Sequence, residues 1–384
     1  MLRIPASHSQ CATAPRRATP ASSPASLGCI TATLCALAFF CGYLAHEGGA
    51  AVRNWGVSGD YKSRLPYAAP LLPPNTARTT IDALRSTPAA LIPQAAHHQL
   101  AALGLPGFVD DARASPVADV IFPISKRAAR VSTPNSVLAF WQLLGTGNWE
   151  LLTFRVYNSV LATKPGVVID FGSWIGPTVL TAAHAPSTRV YGFEVDPVAF
   201  TQLALNVALN ADVAAKTSVF FMGISGEAKV VEFSSGACTK GMGDSCSSAI
   251  ATSLVPTNKW SVQTMPLAAF VAAEGIRLED ISLIKVDTEG AELFILPSLA
   301  EWVRGWPGGV KPAIWLSLHG KFLAAHPEWR AFVTPFMQQF AFGFLASGDV
   351  LVPQWTTLAA AGGPADSCSD TCTYLLSDVH FRID

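Results

Sequence analysis

The sequence predicts an α/β domain built on a mostly parallel, doubly wound sheet. Three observations predict it. From about residue 147, short apolar runs alternate with helix-like runs, the pattern of βαβ units. The first run, Gly166–Phe171, ends in a glycine-spaced loop, Gly172-Ser173-Trp174-Ile175-Gly176, that leads straight into a helix start. The second, Arg189–Phe193, ends in an acid, Glu194.

Each element follows from its own residues. Val137–Leu144 reads as a short helix packed on the domain. Gly166–Phe171 (GVVIDF) is a buried strand, rich in β-branched residues and closed by glycine. Pro177–His184 is a helix with Pro at its favoured first turn. Arg189–Phe193 is a strand. Pro197–Asn210 is an amphipathic helix with Phe200, Leu203, Ala204 and Val207 on one face. Thr217–Met222 is a strand, and Lys229–Phe233 an extra strand or hairpin before a long loop at 234–258. A short helix at Pro266–Ala273 precedes the strand Ile281–Val286 and the helix Ala291–Trp302. The strand Ala313–Leu318, a helix at Pro327–Gln339 and closing strands at Phe342–Leu345, Val350–Val352 and Thr373–Leu376 complete the domain.

The chain has 384 residues, of which 50 % are hydrophobic and 14 % charged. An average soluble protein has about 25 % charged residues, so a disordered polyelectrolyte is excluded. Lys and Arg number 26 against 27 Asp and Glu. That balance offers no basic surplus for phosphate backbones, and no nucleic-acid partner is expected.

Part of the hydrophobicity sits at the N-terminus. Residues 1–46 hold no acid, Arg3, Arg16 and Arg17 come early, and an uncharged run extends from Leu27 to Ala45. As a helix that run spans roughly 28 Å, close to the ~30 Å of a bilayer core. The expectation is a cytosolic tail at 1–26, a signal anchor at 27–45, an Ala/Pro-rich stem and lead-in at 46–140 and the α/β domain at 141–384. The positive-inside rule places that domain in the Golgi or ER lumen as a single-pass type II protein. A cleaved signal peptide and a plastid transit peptide are the competing readings of the same segment. Beyond the span, Cys238 with Cys246 and Cys368 with Cys372 are spaced for local disulfides, with free thiols as the alternative.

In an open parallel sheet, ligands sit beyond the carboxyl ends of the strands. The two glycines of the first loop let the backbone approach a ligand, and free amides at the following helix start favour an anionic group. Glu194, with Asp196 beside it, is placed to take the hydroxyls of a ribose. Asp170 ends the first strand, where a pyrophosphate would be repelled but an ammonium group steadied, through the loop or a water. Together Asp170, Gly172, Ser173, Gly176, Glu194 and Asp196 suit a nucleoside carrying an amino acid, which points to S-adenosylmethionine as cofactor.

Five separated stretches strengthen this: NWELLTFRVY, VVIDFGSWIGPTVL, VYGFEVDPVAFTQLALNVALN, LIKVDTEGAELFILPSL and IWLSLH. In this order they resemble the FkbM-type methyltransferase family, over about residues 147–320. The resemblance implies a class I methyltransferase, Rossmann-like sheet and an S-adenosylmethionine-dependent O-methyltransferase. It puts Asp170, Gly172 and Gly176 in the cofactor loop and Glu194 on the ribose. It also makes Asn206 and Asn210 structural and matches Asp287, Glu289 and Glu292 to the family's acidic segment. Two positions depart from the pattern: Trp174 stands in a loop that usually reads Gly-Ala-Asn-x-Gly, and Ser317 stands where the family often has Glu.

A hydroxyl needs alignment and loss of its proton. Asp287 and His319 are the expected catalytic pair, His319 as base. Glu289 and Glu292 share a face of the next helical turn and serve equally well as caps. The carboxylate trio with His319 could also hold a divalent metal, but none is expected. Trp149-Glu150 are placed to close over the cofactor as a lid, or to pack in the core. The expected acceptor is a glycan or small-molecule hydroxyl. A plastid enzyme acting on a lipid or metabolite and a non-catalytic scaffold are the rival readings.

Overall fold

The computed structural model describes residues 115–134, 137–235, 247–248, 258–353, 368 and 370–383. The chain divides into two units, Met1–Leu65 and Pro66–Asp384, and every described residue belongs to the second. The apolar run at 27–45, most of the stem, Cys238 and Cys246 lie outside the described residues. Among the described residues no helix is long and apolar enough to cross a membrane.

The described chain opens with a hairpin, β1 (Val117–Ile121) and β2 (Ala128–Ser132), then α1 (Leu138–Gly145) and α2 (Leu151–Thr163). The alternating part follows: β3 (Val167–Phe171), α3 (Pro177–His184), β4 (Arg189–Glu194), α4 (Pro197–Ala208), α5 (Ala211–Ala214) and β5 (Thr217–Phe221). A small sheet comes next: β6 (Gly223–Ile224), β7 (Lys229–Ser235), β8 (Ser247–Ser248) and β9 (Asn258–Met265). Then come α6 (Leu267–Ala273), β10 (Ile281–Val286), α7 (Glu292–Arg304), β11 (Ala313–His319), α8 (Gly320–Leu323) and α9 (Arg330–Met337). β12 (Phe342–Ser347), β13 (Val350–Pro353) and β14 (Thr371–Ser377) close the domain.

The main sheet has eight strands in the order β13-β12-β14-β11-β10-β3-β4-β5. The five strands from β11 to β5 pair in parallel, and β14, β12 and β13 add on antiparallel. This is the doubly wound sheet expected, with the order reversing between β3 and β10. Its two faces follow the two-residue period of the strands. Val168, Val190, Val219, Leu283 and Trp315 pack with α2, α3 and α4 on one face. Val167, Ile169, Phe171, Phe193, Ile284 and Leu316 pack with α6, α7 and α9 on the other.

Three elements depart from the expectation. The β1–β2 hairpin extends the ordered unit into the lead-in. Its alanines and charges give no strand signal, and it is fixed by tertiary bonds instead. Ser132 N donates to Asn206 Oδ1 at 2.7 Å, and Arg130 N to Asn210 Oδ1 at 2.8 Å. α2 arises in a stretch to which the sequence assigned no element. β9 begins where a loop was expected to end, and it pairs antiparallel with β7 along the whole of that strand. Its Trp260 Nε1 donates to Val195 O at 2.7 Å, so the small sheet braces the end of β4.

Candidate active site at the carboxyl ends of the strands

The loop after β3 is tied down at both ends. Gly172 N and Ser173 N both donate to Phe193 O, at 3.0 and 2.9 Å. Trp174 N donates to Glu194 Oε2 at 2.7 Å. Three amides of the loop are thus spent joining it to β4. Gly172 has φ +75°, and a Cβ there would collide with the Asp287 carbonyl. A side chain at Gly176 (φ +100°) would press on Leu203 Cδ1, 2.8 Å away. Asn206 fixes the same loop from α4, its Nδ2 donating to Ile175 O at 2.8 Å. Both asparagines are structural, as the resemblance implies.

Below the loop lies an ion pair that the sequence reading missed. Asp170 and Lys285 are register partners on adjacent parallel strands. Asp170 is 0 % exposed, and Lys285 Nζ lies 3.4 Å from its Oδ1, 3.4 Å from Asp287 Oδ2 and 2.8 Å from Gly172 O. Burial pushes the Asp170 carboxyl up against the pull of Lys285. Burial opposes the Lys285 charge, but Asp170, Asp287 and Glu150 outweigh it and keep the amine protonated. Asp170 therefore reaches the cleft only through Lys285 and the loop. The signal for Lys285 was present: it is the one charged residue in the strand ISLIKV, and a buried cation needs anionic partners.

Glu194 and Asp196 are more occupied than expected. Glu194 Oε1 accepts from Val195 N at 2.8 Å and Asp196 N at 2.7 Å, besides the Trp174 bond at Oε2. Burial pushes this carboxyl up to about 7, against three amides that favour its anion. Asp196 caps α4, with Oδ1 accepting from Val198 N at 2.8 Å and Ala199 N at 3.0 Å. That oxygen is committed to the helix start. Ser173 is likewise turned inward, its Oγ donating to Asp170 O at 3.0 Å.

Past β10 and β11 the acids converge on one imidazole. His319 is 3 % exposed. Its Nδ1 lies 3.1 Å from Glu292 Oε1, and its Nε2 3.4 Å from Asp287 Oδ1 and 3.6 Å from Glu289 Oε1. Burial alone would favour the neutral ring, but Glu292, Glu289 and Asp287 together push it up to about 10. These carboxylates favour the imidazolium, and in that form His319 would serve as a fixed cation rather than as the expected base. Burial would raise Asp287, but Lys285 and His319 hold it below its ordinary value. Glu292 closes the turn, accepting from Thr288 N, Thr288 Oγ1 and Gly290 N at 2.9, 2.9 and 3.0 Å. Ser317, in place of the family's acid, bonds Thr373 on β14 at 3.0 Å.

Glu150, seen in the sequence only as part of a lid, belongs to this cleft. It caps α2, which packs on β10 and α3. Its Oε2 accepts from Thr153 Oγ1 at 3.0 Å. The side chain is open to solvent through the cleft yet ringed by protein. That crowding, with repulsion from Asp287, pushes the carboxyl up to about 7. Burial and Asp287 likewise push Glu289 up to about 7, against His319. Trp149 packs rather than swings free: its ring lies 4.8 Å from Phe140, which lies 4.4 Å from Trp174 of the loop.

Backbone strain collects here. Glu150, Trp174 and Glu289 are non-glycine residues at φ +40°, +48° and +50°. Such residues cost on the order of 1 kcal/mol or more each and persist where packing over-determines them, often at working sites. Among the described residues, no cluster of His, Cys, Asp or Glu is arranged to hold a metal ion. A separate groove of about 320 Å³, lined by Lys164, Trp306 and Val310, lies at the opposite, amino-terminal ends of the strands.

No curated protein matches the chain in sequence. Two solved structures are similar to it. Precorrin-6y C5,15-methyltransferase from Geobacter metallireducens GS-15 is 11 % identical, over 58 % of this chain and 86 % of that one, with a TM-score of 0.29. A protein described as a transferase from Pyrococcus horikoshii is 10 % identical, over 78 % of this chain and 97 % of that one, also at 0.29. The family model of the methyltransferase FkbM domain matches residues 166–342, the stretch that carries the loop, both acidic segments and His319. That stretch of the chain therefore carries a match to the methyltransferase FkbM domain, in line with the resemblance of its motifs.

Proposed function

We propose that the chain is an S-adenosylmethionine-dependent O-methyltransferase acting on a neutral hydroxyl of a glycan or small molecule in the secretory pathway. The observation that carries the reading is the rim of carboxylates, Glu150, Asp287 and Glu289, beside a glycine loop at the carboxyl ends of parallel strands. Such a rim complements a cationic ligand and repels an anionic acceptor.

The residues fit the cofactor. Three amides occupy Glu194, leaving one of a carboxylate's roughly four acceptor positions for a ribose hydroxyl. The backbone of Gly172–Gly176 would line the nucleoside, and the carboxylate rim would face its positive end. When bound, S-adenosylmethionine supplies an activated methyl group and departs as a neutral thioether. Asp287, kept anionic by Lys285 and His319, accepts a hydrogen bond from the acceptor hydroxyl and so aligns it.

The apolar run at 27–45 and the disulfide between Cys368 and Cys372 support an oxidising, lumenal site for the domain. A plastid address is the second reading, favoured by the acid-free, Ser- and Arg-containing leader. Cells expressing the full chain and fed methionine with a labelled methyl group separate the two. Labelled O-methyl ethers are expected on secretory glycans or lumenal metabolites. Label on plastid lipids would move the enzyme to the second address. No new label in any fraction would leave a scaffold.

A further inference from the structure

We propose that Glu150 takes the proton from the acceptor oxygen as the methyl group arrives, an assignment that rests on the methyltransferase reading above.

The other acids of the cleft are already committed. Glu292 accepts three bonds from its own turn and faces His319. Glu194 accepts three amides. Asp170 is sealed beneath the loop with Lys285. Asp287 is shared between Lys285 and His319 and is the weaker base for it. Glu289 is tied to the His319 charge at 3.6 Å. Glu150 comes from a different element, the strained cap of α2, and stands open to solvent in the cleft. Its Oε2 takes one hydrogen bond, from Thr153, and among the described residues its Oε1 takes none.

Its position is fixed from two sides. Trp149 is joined through Phe140 to Trp174, which sets the start of α2 over the cofactor loop. On the other side Lys164, just past the far end of α2, donates from Nζ to Ile281 O at the start of β10 at 2.8 Å, so α2 runs back along β10 and its N-terminal cap comes to the carboxyl end of that strand. That end of β10 leads into Asp287, so Glu150 stands on the same rim as the aligning carboxylate. A carboxyl raised to about 7 is half ionised at neutral pH, the range in which a base works best. The step balances. An oxygen lone pair attacks the methyl carbon, the carbon–sulfur bond breaks with its electrons going to sulfur, and the hydroxyl proton passes to Glu150.

The test needs no acceptor. Sinefungin carries a primary amine where S-adenosylmethionine carries its transferable methyl, so a nearby anion holds it more tightly than it holds S-adenosylhomocysteine. The full chain is titrated calorimetrically with both ligands from about pH 5.5 to about pH 8.5, spanning the expected ionisation. The preference for sinefungin is expected to rise about tenfold through neutrality as Glu150 ionises, equivalent to about 1.4 kcal/mol. In Glu150→Gln the preference is expected to stay low and flat with pH while S-adenosylhomocysteine binding is unchanged, which also reports an intact fold. Glu150→Asp, keeping the charge but withdrawing it, is expected to fall between. Retained S-adenosylhomocysteine binding with the same pH-dependent preference in Glu150→Gln would overturn the assignment. If neither ligand binds the natural chain, the methyltransferase reading itself fails.

Discussion

Lys285→Ala is expected to lower the melting temperature of the domain by about 10 °C and to abolish S-adenosylmethionine binding. The amine is the only cation within ion-pair distance of Asp170 among the described residues, and Asp170 is fully buried. Removing one partner of a buried pair costs about 3–5 kcal/mol, because the remaining charge keeps its desolvation penalty without its compensation. For a domain of this size each kcal/mol moves the transition by roughly 2–4 °C. The loss also frees Gly172 O and Asp287, both of which Lys285 touches. Adding Asp170→Asn removes the stranded charge, so the double variant is expected to regain much of the stability but not the binding. A melting temperature within about 2 °C of the natural protein for Lys285→Ala would show that the pair is not structural.

Gly172→Ala is the second large effect. The backbone there has φ +75°, a region that costs an L side chain on the order of 1 kcal/mol, and the new methyl would collide with the Asp287 carbonyl. Loop and strand end must separate to make room. We expect a loss of about 2–4 kcal/mol by thermal or urea denaturation, and at least a tenfold weaker hold on the cofactor. A Gly176→Ala variant meets one flexible leucine atom rather than backbone and should lose less. Equal losses at the two glycines would contradict the clamp between the loop and Asp287.

The parts of the fold that were legible are those whose own residues decide them. VVIDF, ISLIKV and AIWLSLH are buried strands whose β-branched and apolar runs leave little alternative. The hairpin at 117–132 was not legible. It owes its register to asparagines 74 and 80 residues away, and no local pattern reports that. The strand Asn258–Met265 had a readable alternation, with Trp260, Val262 and Thr264 all turned inward, but its polar start hid it against the preceding loop.

The site divides in the same way. Its location followed from the strand ends, and the glycine loop, Glu194, Asp287 and His319 do meet there. Their protonation states were not legible. His319 looked like a base because its three carboxylates all come from one segment, 287–292, which only the sheet brings to the end of β11. Glu194 and Asp196 looked like ligand acceptors, yet the backbone of the turn after β4 takes one oxygen of each. Lys285 could have been found by asking what a buried lysine pairs with.

The most direct test of the central claim is a calorimetric titration of the full chain with S-adenosylmethionine, beside Glu194→Ala. Binding with one site per chain and a dissociation constant well below about 1 mM is expected, with a loss of tenfold or more in the variant. No heat of binding at millimolar ligand would contradict the claim, and equal affinity in Glu194→Ala would remove Glu194 from the cofactor site.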